Sequence, residues 1–270
     1  MDLLNPGFGR LWAATAVSRF GTMLGAISLV ALLYLDATPG EMGLLVASTT
    51  APAIAVALVA GVWVDRLPHR SILIVADFGR FALLLSIPAA ALSGTLRIEQ
   101  LYLVAFAEGC LEVVFNLAYR AILPSLVGPS VLVEANAKLR GAEAVAESVA
   151  PAAGGALVQI LGAPIAVACD AFSFLASGLL LSGLPVASPA AQLKGESTLH
   201  EAVEGLRTAT SEPRLRASLG LSASYGFFGS FLITLYALRI LRDLDFSPIA
   251  LGLLAVGGGV GSIAPPSFRR

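Results

Sequence analysis

The sequence predicts an all-α membrane protein, a six-helix N-terminal bundle plus two helices of an incomplete second bundle. Three observations point there. Of 270 residues, 57% are hydrophobic and 13% charged, against about 25% charged in a soluble domain, and mean hydropathy is +0.84. The apolar residues gather into runs of about 20, the length a helix needs to cross the hydrocarbon of a bilayer. A segment near the N-terminus recurs late in the chain at a constant offset.

The runs cover residues 11–35, 40–63, 71–93, 100–122, 137–161, 164–185, 216–238 and 248–266. The first reads as a retained span. Met1 to Pro6 lacks a basic start and a small-residue cleavage site, and the run to Leu35 outlasts a signal core. The second opens on Thr38-Pro39-Gly40-Glu41, a capping box with proline at the first helical position. Such a cap matters because the first N–H groups of a helix lack intrahelical partners and a bilayer offers little water. A charged loop, Asp65 to Arg70, leads to the third run, and a Pro/Gly/Ser stretch, Leu123 to Val133, joins the fourth to the fifth. Only Gly162, Ala163 and Pro164 stand between the fifth and sixth, which demands a tight turn. Residues 186–215 break the pattern. Val186-Ala187-Ser188-Pro189 has linker composition. Leu199, Val203 and Leu206 then share one helical face with charges opposite, as in a short amphipathic helix on a membrane surface. An irregular loop is the competing reading. Ser247-Pro248 repeats the proline-led cap before the eighth run, whose Gly257-Gly258-Gly259 suits close helix packing.

Leu35, Asp36, Pro39, Gly43, Leu44 and Leu45 recur as Leu244, Asp245, Pro248, Gly252, Leu253 and Leu254, each 209 positions later. A long-period repeat in an apolar chain suggests two parallel halves, a transporter design. At that offset Gly61 falls on position 270, and Pro265 to Arg270 departs from the text of the first copy. The expectation is a chain lacking most of its second half. Its parts would be a bundle at 1–185, a cytoplasmic linker at 186–215 and a partial second bundle at 216–270.

Net charge is -1, so no nucleic acid or other polyanion is implied as a partner. No Gly-x-x-x-x-Gly-Lys-Ser/Thr loop offers an ATP site. His69 and His200 lack metal-ligand spacing, and Cys110 and Cys169 lie in apolar runs, so neither a cofactor nor a disulfide framework is expected. The expected partners are the lipid bilayer and a small-molecule substrate, with protons one candidate for the coupling ion and the ion itself left open.

Gly61-Val62-Trp63-Val64-Asp65-Arg66-Leu67-Pro68-His69-Arg70 resembles the Gly-x-x-x-Asp-Arg-x-x-basic-basic loop of the major facilitator superfamily. Pro68 stands for the usual Gly, and His69 for one basic residue. The resemblance implies a gating role for Gly61, Asp65, Arg66 and Arg70. Ala150-Pro151-Ala152-Ala153-Gly154-Gly155 resembles the Gly-Pro-x-x-Gly-Gly signature of the superfamily's antiporters. Pro151 removes a helix hydrogen bond while Gly154 and Gly155 permit close packing, a combination that lets a helix bend against its neighbour. Asn5 to Trp12, Phe115 to Pro124, Ala135-Asn136-Ala137 and Asp170 to Phe174 are similar to the branch of siderophore exporters and macrolide efflux proteins. Ala105 stands where that superfamily's proton-coupled drug exporters place an Arg, and Thr22 where this branch often has an acid. What the resemblance implies is a secondary active exporter of a small amphiphile, working by alternating access in a bacterial plasma membrane. The alternative it implies is a truncated, transport-inactive fragment of one.

Ionisable groups inside spans are costly and are functional candidates by default. Arg19 lies in the first span, Glu108 and Glu112 at i, i+4 in the fourth, Glu143 and Glu147 at the same spacing in the fifth, and Asp170 in the sixth. The resemblance makes the first and fourth helices line a central cavity, across which Arg19 pairs with Glu112 or Glu108. Glu143 is expected to reach the cytoplasmic interface, and Asp77 to form a local or gate-side pair with Arg80 at i, i+3. Structural ion pairing is the competing reading at each of these sites.

With the N-terminus inside, the cytoplasmic segments carry Arg10, Arg66, Arg70, Arg120, Lys138, Arg140, Lys194, Arg207, Arg214 and Arg216, while the outer segments carry Arg97, Arg239 and Arg242. This asymmetry favours a cytoplasmic N-terminus. Single cysteines in intact cells should therefore label from outside at 36–41 and only after permeabilisation at 66–70. External labelling of the 66–70 loop would reverse the orientation.

Overall fold

The computed structural model describes residues 6–24, 26–56, 60, 64, 67–184 and 211–263. The amphipathic helix expected within 197–206, His200, the loop residues Gly61, Asp65 and Arg66, and the tail from Pro265 lie outside these residues.

The first span is built from α1 (Pro6–Met23), α2 (Ala26–Leu29) and a π-helical turn (Val30–Tyr34). Then come α3 (Pro39–Ala55), α4 (His69–Leu92), α5 (Ile98–Val127), α6 (Leu132–Leu161), α7 (Ala163–Ser182), α8 (Pro213–Leu238) and α9 (Pro248–Ile263), with a second π-helical turn at Arg239–Asp243. Among the described residues, each predicted run contains helix and no strand occurs. Five elements, Pro6–Tyr34 and α4 to α7, are long and apolar enough to cross a membrane. The protein is an all-α membrane protein.

One expected loop is shorter than its composition suggested. Helix α5 continues through Pro124 to Val127, and only Gly128 and a 3₁₀ turn at Pro129–Val131 precede α6. Burial explains the extension, since Leu123, Leu126 and Val127 are all buried. A proline this near a helix end forgoes one backbone hydrogen bond, and Gly128, at φ 76°, then turns the chain. Gly162, at φ 89°, makes the tight α6–α7 turn.

The capping box forms as its letters imply. The Thr38 hydroxyl accepts from the Glu41 N–H at 3.3 Å, and the Glu41 carboxylate accepts from the Thr38 N–H at 2.7 Å. The internal repeat is also a repeat of backbone. Leu35 and Leu244 each donate to the first carbonyl of their π turn, Val30 and Arg239, at 3.1 Å. Asp36 and Asp245 follow in the left-handed region, at φ 52° and 54°. Aspartate tolerates that region better than most residues because its short side chain bonds locally. Across the two copies, Arg242 Nη2 donates to Asp36 Oδ1 at 2.5 Å and to the Leu32 carbonyl at 3.3 Å.

Two apolar cores stack along the bundle. One, at the end that carries Arg10, Arg70 and Lys138 (the basic end), joins Phe8, Leu11, Leu73, Phe115, Ile122 and Leu181. The other joins Val30, Leu45, Ile87, Leu101, Val167 and Phe174 toward the opposite end. Arg19, Asp77, Arg80, Glu108 and Glu112 fall between the two, about midway along their spans.

Helix α6 is pinned by backbone contact at its small residues. A Cβ on Gly154 would strike the Leu24 backbone, and one on Gly155 would strike the Pro248 carbonyl of α9. Helices in lipid associate through such packing rather than through hydrophobic drive. Gly155→Val should therefore lower stability by about 1–3 kcal/mol in thermal denaturation of the detergent-solubilised protein. Gly141→Ala, where a Cβ meets nothing within 4 Å, should instead gain about 0.5–1 kcal/mol. Equal effects from the two would remove the packing account.

Candidate functional site

Two charge clusters occupy the layer between the cores. In the first, Arg19 of α1 is held by three side chains. Its Nη1 donates to Glu112 Oε1 at 3.0 Å and its Nη2 to Asn116 Oδ1 at 2.8 Å, both on α5. Its Nε lies 3.4 Å from Glu143 Oε1 on α6. Arg140 Nη1 reaches the other Glu143 oxygen at 2.8 Å. The side chains of Arg19, Glu112 and Glu143 are 23%, 32% and 23% exposed, so the cluster borders open space rather than core.

The second cluster is enclosed. Arg80 of α4 grips Glu108 of α5 through both Nε, at 2.7 Å, and Nη2. Its guanidinium carbon sits 4.0 Å over the ring of Phe174 on α7, within the range of a cation–π contact. Asp170 and Ser173 of α7 lie against Gly21 of α1, with Ser173 Oγ donating to Asp170 Oδ1 at 3.5 Å. Asp77 is wholly buried, and neither its carboxylate oxygens nor the Ser177 hydroxyl makes a hydrogen bond among the described residues.

The structure thus divides the acids that sequence spacing put on one face. Arg19 takes Glu112, and Glu108 goes to Arg80. A step of four residues turns about 40° and climbs about 6 Å, enough for the two glutamates to meet different neighbours. Arg80 does not form the local ion pair expected with Asp77, because its long side chain reaches across to α5. Glu143 is held between Arg19 and Arg140. Glu147, one turn further along α6, is exposed and outside these contacts. Asn116 escaped notice as a site residue, although a polar residue four places after Glu112 in an apolar run was its signal.

Arg70, expected in the gating loop, donates to the Ser182 carbonyl, while Arg10 donates to that of Gly183. Two arginines from α1 and α4 thereby satisfy carbonyls at the C-terminal end of α7, where cations are favoured. Pro151, Gly154 and Gly155 form a three-way seam, with Gly154 facing α1, Gly155 facing α9, and the Pro151 carbonyl facing Gly252.

This arrangement of helices and charges is accompanied by a family match over nearly the whole chain. The transmembrane secretion effector family matches residues 2–269. An uncharacterized MFS-type transporter of Bacillus subtilis strain 168, YfiS, is 25% identical over 190 residues, which is 66% of this chain and 42% of that relative. The chain therefore spans less than half the length of that curated relative. The all-helical fold, the repeated π turn and the family match agree, and the chain belongs to the transmembrane secretion effector family of the major facilitator superfamily.

Proposed function

We propose that this chain forms the substrate-contacting bundle of a secondary active exporter of small amphiphilic molecules, with the N-terminus in the cytoplasm and proton exchange as the energy source. The observation that carries the reading is the Arg19 cluster. It is ionic, partly exposed and midway along three spans. A charged group at that depth is costly unless it serves a pathway or a pair. The Arg80–Glu108 pair, by contrast, is enclosed. Alternating access requires two bundles that rock about a midplane site, so the cycle belongs to a transporter holding more second-bundle helices than the two described. The Asp36–Arg242 contact ties the two copies of the repeat together at the end opposite Arg10, which supports a state closed at that end. The efflux-like branch supports export and an amphiphilic substrate. The 1–185, 186–215 and 216–270 division is part of the same proposal.

In the assembled transporter, Arg19→Gln and Glu112→Gln should each cut gradient-driven efflux by about tenfold or more, the effect of about 1.4 kcal/mol in an equilibrium or barrier. Glu143→Gln should also fall, since Arg19 reaches that carboxylate. Arg239→Gln, which breaks only an exposed pair with Asp243, should export normally. Normal efflux by the three cluster variants would make the cluster purely structural.

Arg242→Ala should release the contact between the copies. Cysteines near residue 36 should then react faster with a membrane-impermeant thiol reagent, by about fivefold if the pair, partly buried at Arg242 and exposed at Asp36, contributes about 1 kcal/mol. An unchanged labelling rate would show that packing alone holds that end shut.

A further inference from the structure

Helices α6 and α7 leave the Gly162 turn side by side and then separate, packing far less on each other than α7 packs on α4. Helix α1 lies behind the gap. The three bound a groove of about 960 Å³ lined by Val17, Phe20, Val145 and other small or apolar residues, at the upper end of the about 300–1,000 Å³ of ligand sites. Its one charged lining residue is Lys138. Beside it the Trp12 indole N–H donates to the Lys138 carbonyl at 3.3 Å. Both residues sit at the basic end. The Lys138 ammonium is half-exposed and lies 3.6 Å from Glu134, one turn nearer that end. An exposed pair of this kind is weak and leaves the ammonium free to meet a second anion.

Neither described helix of the second copy covers this groove. Helix α9 takes a different side of α6, at Pro151 and Gly155, and α8 packs on α3. The chemistry along the groove changes in the order of a lipid: hydrocarbon walls, then an indole, then an ammonium. Tryptophan settles at headgroup level, and a lysine there attracts anionic headgroups. No carboxylate lines the groove to oppose a phosphate.

We propose that this groove is a binding seat for one phospholipid of net negative headgroup. An acyl chain lies along Val17, Phe20 and Val145, Lys138 holds the phosphate, and Trp12 marks the boundary. On the orientation proposed above, the lipid comes from the cytoplasmic leaflet. The seat itself stands apart from the export reading, because its test reads lipid contact and not transport.

The chain has two tryptophans, so Trp63→Phe leaves Trp12 as the single fluorophore. That variant is reconstituted in phosphatidylcholine vesicles containing the same minor fraction of brominated-chain phosphatidylglycerol or brominated-chain phosphatidylcholine. The expected result is an apparent affinity for the phosphatidylglycerol about fivefold higher, the factor that corresponds to about 1 kcal/mol per basic contact. Lys138→Gln should bring the two lipids level. Gly141→Leu, which fills open space in the groove, should weaken quenching by both. Equal quenching by the two lipids in the Lys138 protein would reduce the groove to ordinary lipid-facing surface. A preference that survives Lys138→Gln would place the headgroup elsewhere, and absence of quenching by either lipid would mean that protein covers the groove. Each of these three results overturns the proposal.

Discussion

The grip of Arg80 on Glu108 is the constraint around which the bundle is arranged. A guanidinium cannot shed its proton at any ordinary pH, so a buried arginine needs a partner wherever it is placed. Here the partner comes from α5 and the cover from Phe174 of α7. Three helices are thereby fixed in rotation as well as in distance. The apolar cores on either side can then be filled by ordinary aliphatic packing, with Leu73 and Ile122 below and Ile87 and Leu101 above. Removing either charge alone would leave the other buried and uncompensated, a larger loss than the pair itself contributes.

The Arg19 cluster uses the same residue types at the same depth under a different condition. Its three charged groups keep part of their surface open, and Arg19 divides its donors among Glu112, Asn116 and Glu143. An arginine shared three ways has alternatives when one partner is withdrawn, whereas Arg80 has committed both bonds to a single oxygen. The contrast separates a cluster with shared partners and open surface from one whose geometry is settled by enclosure.

What was legible in the sequence was local. The spans follow from hydrophobic runs, the Thr38 cap from four adjacent letters, and the α6–α7 turn from Gly162. The repeat was legible too, and the paired φ values of Asp36 and Asp245 show that it encodes backbone conformation as well as residue identity. Partner choice was less legible. Helical spacing places Glu108 and Glu112 on one face but is silent about which neighbours stand opposite. Arg80 and Asp77 are three residues apart, yet the longer reach to Glu108 won. Proline and glycine letters around 123–133 suggested a loop, and burial of Leu126 and Val127 kept the chain helical instead. In each case a tertiary contact overrode a short-range signal.

The spacing of the Arg80 pair along the chain bears on how the protein enters its membrane. Arg80 and Glu108 are 28 residues apart, on consecutive helices joined by the short turn between Leu92 and Ile98. A helical hairpin of that size can carry both charges into the bilayer already neutralised, without waiting for any later span. Arg19 and Glu112 are 93 residues apart, so Arg19 must wait for helices made much later in synthesis. The order of biogenesis is thus written into the sequence separations. The enclosed pair assembles within one hairpin and sets the frame, and the open cluster completes itself only when the bundle closes around it.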